Sequence, residues 1–143
     1  MTQKEKQLLL KDLCGRLPYH VRVKVWLKDG TTEEGFFDFE HNYGDVMMDF
    51  FFYDKLKDLK PYLRPMSSMT EEESAELSNI ISEWFDKELF YLTEEPFLEY
   101  ALSRINHSIS PKLFDWLNKN MFDYRGLIPM GLALEAPKDM YNV

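Results

Sequence analysis

The sequence has a single cysteine, Cys14, and so cannot form a disulfide bond within the chain. Nothing in its composition therefore indicates an oxidising compartment. The chain also lacks a run of the roughly 20 apolar residues that cross a bilayer, and the short apolar run at 8–10 is too small for a signal peptide. We expect a cytoplasmic protein that does not associate with a membrane.

The sequence motifs of common active sites are absent as well. The chain contains no glycine-rich phosphate loop, no dinucleotide-binding fingerprint and no nucleophile elbow. Its three histidines and its cysteine are scattered, whereas a metal site needs clustered ligands. We therefore expect no cofactor, no metal and no catalytic residue. The alternative is an enzyme with a dispersed site built from His41, Asp45 and Asp49, although solvated charges on a sheet face explain the two carboxylates more simply.

What the chain does have is the length of one domain and an uneven charge. Its 143 residues carry a net charge of −8. Residues 1–66 hold 11 basic and 11 acidic side chains, and residues 67–143 hold 6 and 14, so all of the excess lies in the second half. An acidic surface repels nucleic acid and anionic membranes. It favours solubility, a partner with a basic surface, or imitation of nucleic-acid charge.

The N-terminal segment has the pattern of a capped helix. Thr2 and Glu5 are spaced as a capping box, in which each side chain bonds the other residue's backbone N–H. Leucines follow at helical positions, and Gly15 stands where a helix often ends. The pattern predicts a helix over residues 3–14.

The next segment alternates between apolar and polar residues, which is typical of half-buried strands. Asp29-Gly30 is a turn signal between two such runs. The pattern predicts an antiparallel meander, and the segment at 54–63 could be a further short strand or a helical turn. The three strands of the predicted meander are 20–28, 33–40 and 45–53.

The second half reads as helical. Thr70 with Glu73 forms another capping box, and Leu77, Ile80 and Ile81 begin an apolar stripe that predicts a helix over 71–90. We expect further helices from Pro96 and from Pro111, followed by an extended segment at 126–134 packed on the core.

Together these elements predict an α+β fold in a single domain, 1–143. An N-terminal helix precedes a small antiparallel sheet of three to five strands, and the second half adds about three helices. Residues 1–66 would form the helix and the sheet, and the acidic half, 67–143, would pack on them.

Part of the strand region resembles the first motif of the Sm-like small barrels, which have curved, SH3-like sheets. The resemblance rests on Val25 to Gly30, Gly35 and Asp45 to Asp49. It implies a curved sheet and an RNA contact in the loop before the third strand. Asp45 stands where the family has Asn, and a carboxylate there would repel RNA. The family's second motif, with its Arg-Gly, is missing.

A broader resemblance is to an uncharacterised family of gut Bacteroidales and their phages and mobile elements. It implies a single domain and no known activity. The segments that carry it are 12–19, 60–73, 116–120, 122–128 and 131–137.

Two sets of residues therefore become candidates. Aromatic residues on the strand face opposite the apolar stripe would anchor a protein partner, unless helices cover both faces of the sheet. We name as a candidate interaction surface Trp26, Phe36, His41, Asn42, Tyr43 and Asp45. The Tyr/Arg segments would pin the helices to the sheet through ion pairs of Arg64 and Arg125 with Asp123 or Glu, or would form an exposed patch; their residues are Tyr62, Arg64, Tyr124 and Arg125.

The sequence is most consistent with a non-catalytic interaction or accessory module whose partner is another protein. A nucleic-acid-binding small barrel is the alternative, based on the Sm-like spacing and on the basic strand residues Arg22, Lys24 and Lys28. The net charge makes nucleic acid the less favoured partner.

Overall fold

A computed structural model describes residues 1–38, 44–82 and 111–141 of the chain. Helix α1 spans Gln3–Arg16. The predicted capping box is confirmed, because Thr2 Oγ1 accepts the N–H of Glu5 at 3.1 Å and Glu5 accepts the N–H of Thr2 at 2.7 Å. One face of α1 is buried through Leu9, Asp12, Leu13 and Arg16.

Gly15 does not end α1, and this prediction is wrong. The helix continues to Arg16 and then tightens into a 3₁₀ turn at Leu17–Tyr19. A Cβ atom added to Gly15 would lie 3.0 Å from Nδ2 of Asn118. Glycine is therefore favoured at this position because it allows the close approach of a second helix.

The described residues form four strands: β1 Val21–Leu27, β2 Thr32–Phe37, β3 Leu56–Leu63 and β4 Leu134–Glu135. They make a mixed sheet in the order β2-β1-β3-β4. Strands β1 and β2 are the predicted pair and are antiparallel, joined by a turn in which Gly30 has φ +91°. Strand β3 pairs antiparallel with the other side of β1, and β4 pairs parallel with β3.

The predicted third strand, 45–53, is wrong: helix α2 occupies Gly44–Phe51. A short apolar run fits a buried strand or a buried helix equally well, because periodicity does not separate them. Here Val46 and Phe50 are four residues apart, as are Met47 and Phe51, which is helical spacing. The third strand along the chain is instead β3, which pairs with β1 and not with β2, so the sheet is not a simple meander.

The core lies between the inner face of the sheet and α1. Alternate residues of β1 point inward, and Leu9 and Leu13 of α1 meet them. Phe50 inserts from α2, so that α2 is anchored by this side chain. The buried side chains of β1 are Val21, Val23 and Val25.

A second buried cluster joins α3, Glu71–Ser82, to α4, Pro111–Lys119. The predicted apolar stripes are confirmed within the described residues, and the Thr70–Glu73 capping box is formed with both bonds at 3.1 Å. Trp116 stacks on Phe122 and donates its Nε1–H to Glu76. The fold is therefore α+β, as predicted. The rest of the predicted helix after Ser82 and the helix predicted from Pro96 lie outside the described residues.

The C-terminal segment packs on the core through turns and the short strand β4. Leu127, Leu132 and Ala133 are buried, as predicted, although the segment before β4 is not extended. Beyond β4, the Tyr141 hydroxyl accepts the backbone N–H of Arg22 at 3.0 Å and donates to the carbonyl of Tyr62 at 2.7 Å. It bridges β1 and β3 one position beyond their last paired residues, Val23 and Pro61.

We expect Tyr141→Phe to lower the free energy of unfolding by about 1–3 kcal/mol, because two backbone groups lose their partner. Burial raises the pKa of Tyr141 to about 12, above the value of about 10 in an unfolded chain. The stabilisation that the neutral Tyr141 hydroxyl gives to the fold is complete below about pH 10 and is lost as the pH rises towards about 12. Urea unfolding should therefore show a gap between wild type and variant that narrows from about pH 10 to about pH 12. A gap that widened would contradict this role.

Candidate functional site

Trp26 and Phe36 lie on the outer face of the sheet, opposite the core. Trp26 is half-buried, and the Nζ atoms of Lys24 and Lys60 lie 5.4 and 5.6 Å from its ring centroid. The guanidinium of Arg22 lies 5.3 Å from the Phe36 ring. The aromatic rings of this face are thus partly covered by the chain's own basic side chains.

The charges of this outer face largely balance. Glu34 stands opposite Lys24 in the strand register, and Asp58 lies 3.8 Å from Lys60. The Tyr62 hydroxyl donates to Glu34 at 2.5 Å. Burial and this bond raise the pKa of Tyr62 to about 12. A balanced face does not present the basic surface that a polyanion needs.

The rest of the candidate interaction surface falls on a different part of the chain. His41, Asn42 and Tyr43 lie outside the described residues. The backbone of Asp45 belongs to α2, not to a strand, and its side chain is outside what the structure describes. Asp49, on the same helix, lies 4.0 Å from Nζ of Lys55.

Arg64 joins the end of β3 to the start of α3. Its guanidinium makes two hydrogen bonds to the Glu73 carboxylate, at 2.7 and 2.8 Å, and lies 4.2 Å from the ring centroid of Phe122. The hydrogen bonds from Arg64 hold the pKa of Glu73 below its usual value. Carbonyl groups of Ser68 and Asn120 accept the remaining contacts at 3.3 and 3.4 Å.

Arg125 pairs with Asp12 of α1 at 3.2 Å. The expected pairing with Asp123 or Glu is confirmed for Arg64, which pairs with Glu73. It is wrong for Arg125, because Asp123 instead accepts the backbone N–H groups of Leu127 and Ile128 at 2.8 and 2.9 Å. Asp123 caps a turn with its carboxylate, which leaves Arg125 directed towards α1.

Asp12 and Arg16 form a fully buried ion pair, each with 0 % of its surface exposed. Two hydrogen bonds of 2.8 and 3.1 Å join them, and Arg16 also donates to the Phe122 carbonyl at 2.6 Å. The Asp12 carboxylate thus pairs with two guanidinium groups, those of Arg16 and Arg125. The Nη1 atom of Arg16 is buried without a hydrogen-bond partner in the described part of the chain.

Tyr124 completes this cluster. Its hydroxyl donates to Asn118 at 3.0 Å and accepts from Arg125 at 3.1 Å, and its ring centroid lies 5.4 Å from the guanidinium of Arg16. Burial raises its pKa. The Tyr/Arg segments therefore lie in contacts between elements distant in sequence, as a structural role requires.

His20 and Asp38 form a pair where β1 begins and β2 ends. Nδ1 of His20 lies 2.6 Å from Oδ2 of the buried Asp38, directly before β1 and directly after β2. His20 has φ 58°, in the left-handed region. The pair holds the two strand ends together beyond their last backbone pair, Val21 and Phe37.

Among the described residues, the most exposed aromatic side chains lie where α2 ends, a position that the sequence pattern did not predict. Phe52 and Tyr53 are 62 % and 60 % exposed, and Met48, one helical turn earlier, is 36 % exposed. The N–H groups of both aromatic residues bond to the carbonyl of Met48, at 3.0 Å each. Asp54 then takes a left-handed φ of 51°, which turns the chain into β3. The backbone thus holds these rings outward; we call Met48, Phe52 and Tyr53 the aromatic patch.

An open groove of about 210 Å³ lies beside the aromatic patch, between α1 and α2. Phe51 is partly buried and contacts the buried Phe50 with ring centroids 4.9 Å apart, so the groove has an apolar wall fixed to the core. The residues that line the groove are Gln3, Lys6, Gln7, Leu10, Phe51 and Phe52.

Neither a metal cluster nor a membrane-spanning helix is found among the described residues. They contain no group of three or more His, Cys, Asp or Glu side chains that could hold a metal ion. None of the described helices is long and apolar enough to cross a membrane.

Comparison with family models, curated proteins and solved structures found no match to this chain.

Proposed function

We propose that this chain is a non-catalytic protein-interaction module and that the aromatic patch is its contact surface. The observation that carries the proposal is the pair of adjacent aromatic side chains, Phe52 and Tyr53, that are held outward beside an open groove. Scattered apolar side chains on a surface are normal. A cluster of them next to a groove marks an interaction site, and aromatic residues contribute strongly to binding energy.

The outer face of the sheet supports the function less well. Trp26 and Phe36 are partly buried, and lysine or arginine side chains of the same chain already lie over their rings. For a base or a partner side chain to stack there, these cations would have to move. The acidic Glu34 and Asp58 on that face also weaken the case for nucleic acid. In the aromatic patch Nζ of Lys55 lies 5.5 Å from the Tyr53 ring centroid, but that ring stays 60 % exposed.

The test is quantitative capture of partners with a double variant, Phe52→Ser/Tyr53→Ser. The resemblance to a Bacteroidales family suggests a gut Bacteroidales lysate, with and without its phages and mobile elements, as the source. Loss of two aromatic anchors should reduce capture of a specific partner at least about thirtyfold. The melting temperature should change little, because both rings are exposed.

Met130→Ser is the matched control. Met130 is also exposed, at 48 %, but lies in the turn before β4 and does not line the groove. It should leave capture unchanged. If the double variant captures the same proteins as wild type, the aromatic patch is not the contact surface.

A further inference from the structure

We infer that the groove beside the aromatic patch binds an amphipathic helix with an apolar stripe and acidic flanks. The inference rests on the proposed function, since it names the kind of partner that this same surface would take. Two features carry it: the shape of the open surface on α1 and the sign of the charges around it.

The groove is lined by one stripe of α1 on one side and by the end of α2 on the other. Gln3, Lys6, Gln7 and Leu10 are spaced i, i+3, i+4 and i+7, which is one stripe along α1. A different stripe, through Leu9 and Leu13, faces the core. The open stripe spans roughly 10 Å along the helix axis. Phe51 and Phe52 form the opposite wall, so a partner helix could lie along α1 and place apolar side chains against them.

The charges select an acidic partner. Lys4, Lys6 and Lys11 lie along α1, and no ion pair within the described residues engages any of them. Nζ of Lys6 lies 4.9 Å from the Phe50 ring centroid, so Lys4 and Lys11 are the two lysines of α1 with neither kind of contact in the described part of the chain. The acidic side chain on the same turn, Glu5, bonds the N–H of Thr2.

Two acidic side chains that the structure describes near α2 are themselves compensated. Asp49 pairs with Lys55 at 4.0 Å and Asp54 pairs with Lys28 at 3.6 Å. The surface around the groove is thus locally basic on a chain whose net charge is −8. Rim charges of this kind select between partners and speed association.

The probes are two helical peptides of about 15 residues with identical Leu and Phe anchors. One has Glu at all flanking positions and the other has Lys. Fluorescence anisotropy of the labelled peptides measures binding to the full chain at low and high salt. The Glu peptide should bind about tenfold more tightly than the Lys peptide, and this preference should shrink as the salt rises.

Two variants locate the effect. Lys4→Glu/Lys11→Glu, at exposed positions, should reverse the preference. Phe52→Ser should weaken both peptides. Cys14 is the single cysteine, is exposed and lies one turn beyond Leu10. Bound peptide should therefore slow its reaction with a maleimide.

The outcomes separate this inference from the proposed function. Equal affinity for both peptides, lost in Phe52→Ser, would overturn the acidic partner and leave the aromatic patch as a docking surface. Binding of neither peptide would overturn the helical occupant, while the capture experiment still decides the proposed function. Binding to phosphatidylserine vesicles, but to neither peptide, would replace the protein partner with an anionic membrane surface.

Discussion

Replacing Asp12 with Ala is expected to lower the free energy of unfolding by about 3–5 kcal/mol. Asp12 is the carboxylate that bonds both Arg16 and Arg125. Without it, Arg16 would keep its charge at a fully buried position with only the Phe122 carbonyl as an acceptor. Urea unfolding followed by circular dichroism measures the change.

Two further variants make this result specific. Asp49→Ala removes a more exposed carboxylate with a 4.0 Å pair, and should change stability by about 0–1 kcal/mol. Asp12→Leu/Arg16→Met removes both buried charges and should recover part of the loss. If Asp12→Ala unfolds at the same urea concentration as wild type, the buried cluster is not what holds α1.

Arg64→Ala is expected to lower the free energy of unfolding by about 2–4 kcal/mol. The guanidinium bonds Glu73 twice, lies over the Phe122 ring and contacts two backbone carbonyls. It joins the end of β3 to both helices of the second cluster. Arg64→Lys keeps the charge but loses the two-pronged geometry, so we expect it to recover less than half of the loss.

A double-mutant cycle with Glu73→Gln isolates this ion pair. Because Arg64 lowers the pKa of Glu73, the pair stabilises the fold above the unfolded-state pKa of about 4.3. That contribution should be lost as the pH falls further. A coupling energy near zero at neutral pH, or one that grows on acidification, would show that Arg64 acts through packing on Phe122 alone.

The helices that the sequence predicts well are those with a local signal. Thr2 with Glu5 and Thr70 with Glu73 fix where α1 and α3 begin, because the capping bonds involve residues only three positions apart. Alternation likewise predicts β1, since one face of that strand is buried and the other is not.

The failures concern signals that are ambiguous or distant. The run at 45–53 has the composition of a strand and the spacing of a helix, and only packing of Phe50 against the core decides between them. This error also hid the aromatic patch, because in a strand Phe52 and Tyr53 would point to opposite faces. The partner of Arg125 is 113 residues away, and no local pattern could predict it.

The contact between Arg16 and the Phe122 carbonyl, which are 106 residues apart, has a consequence for the order in which the chain folds during synthesis. While the first half emerges from the ribosome, Arg16 cannot yet reach this acceptor. Strand β3 likewise lacks its neighbour β4 and the Tyr141 bridge until the last residues are made. The Asp12 and Arg16 side chains of α1 and one edge of the sheet would stay exposed until then, which is the period in which a nascent chain depends most on chaperones.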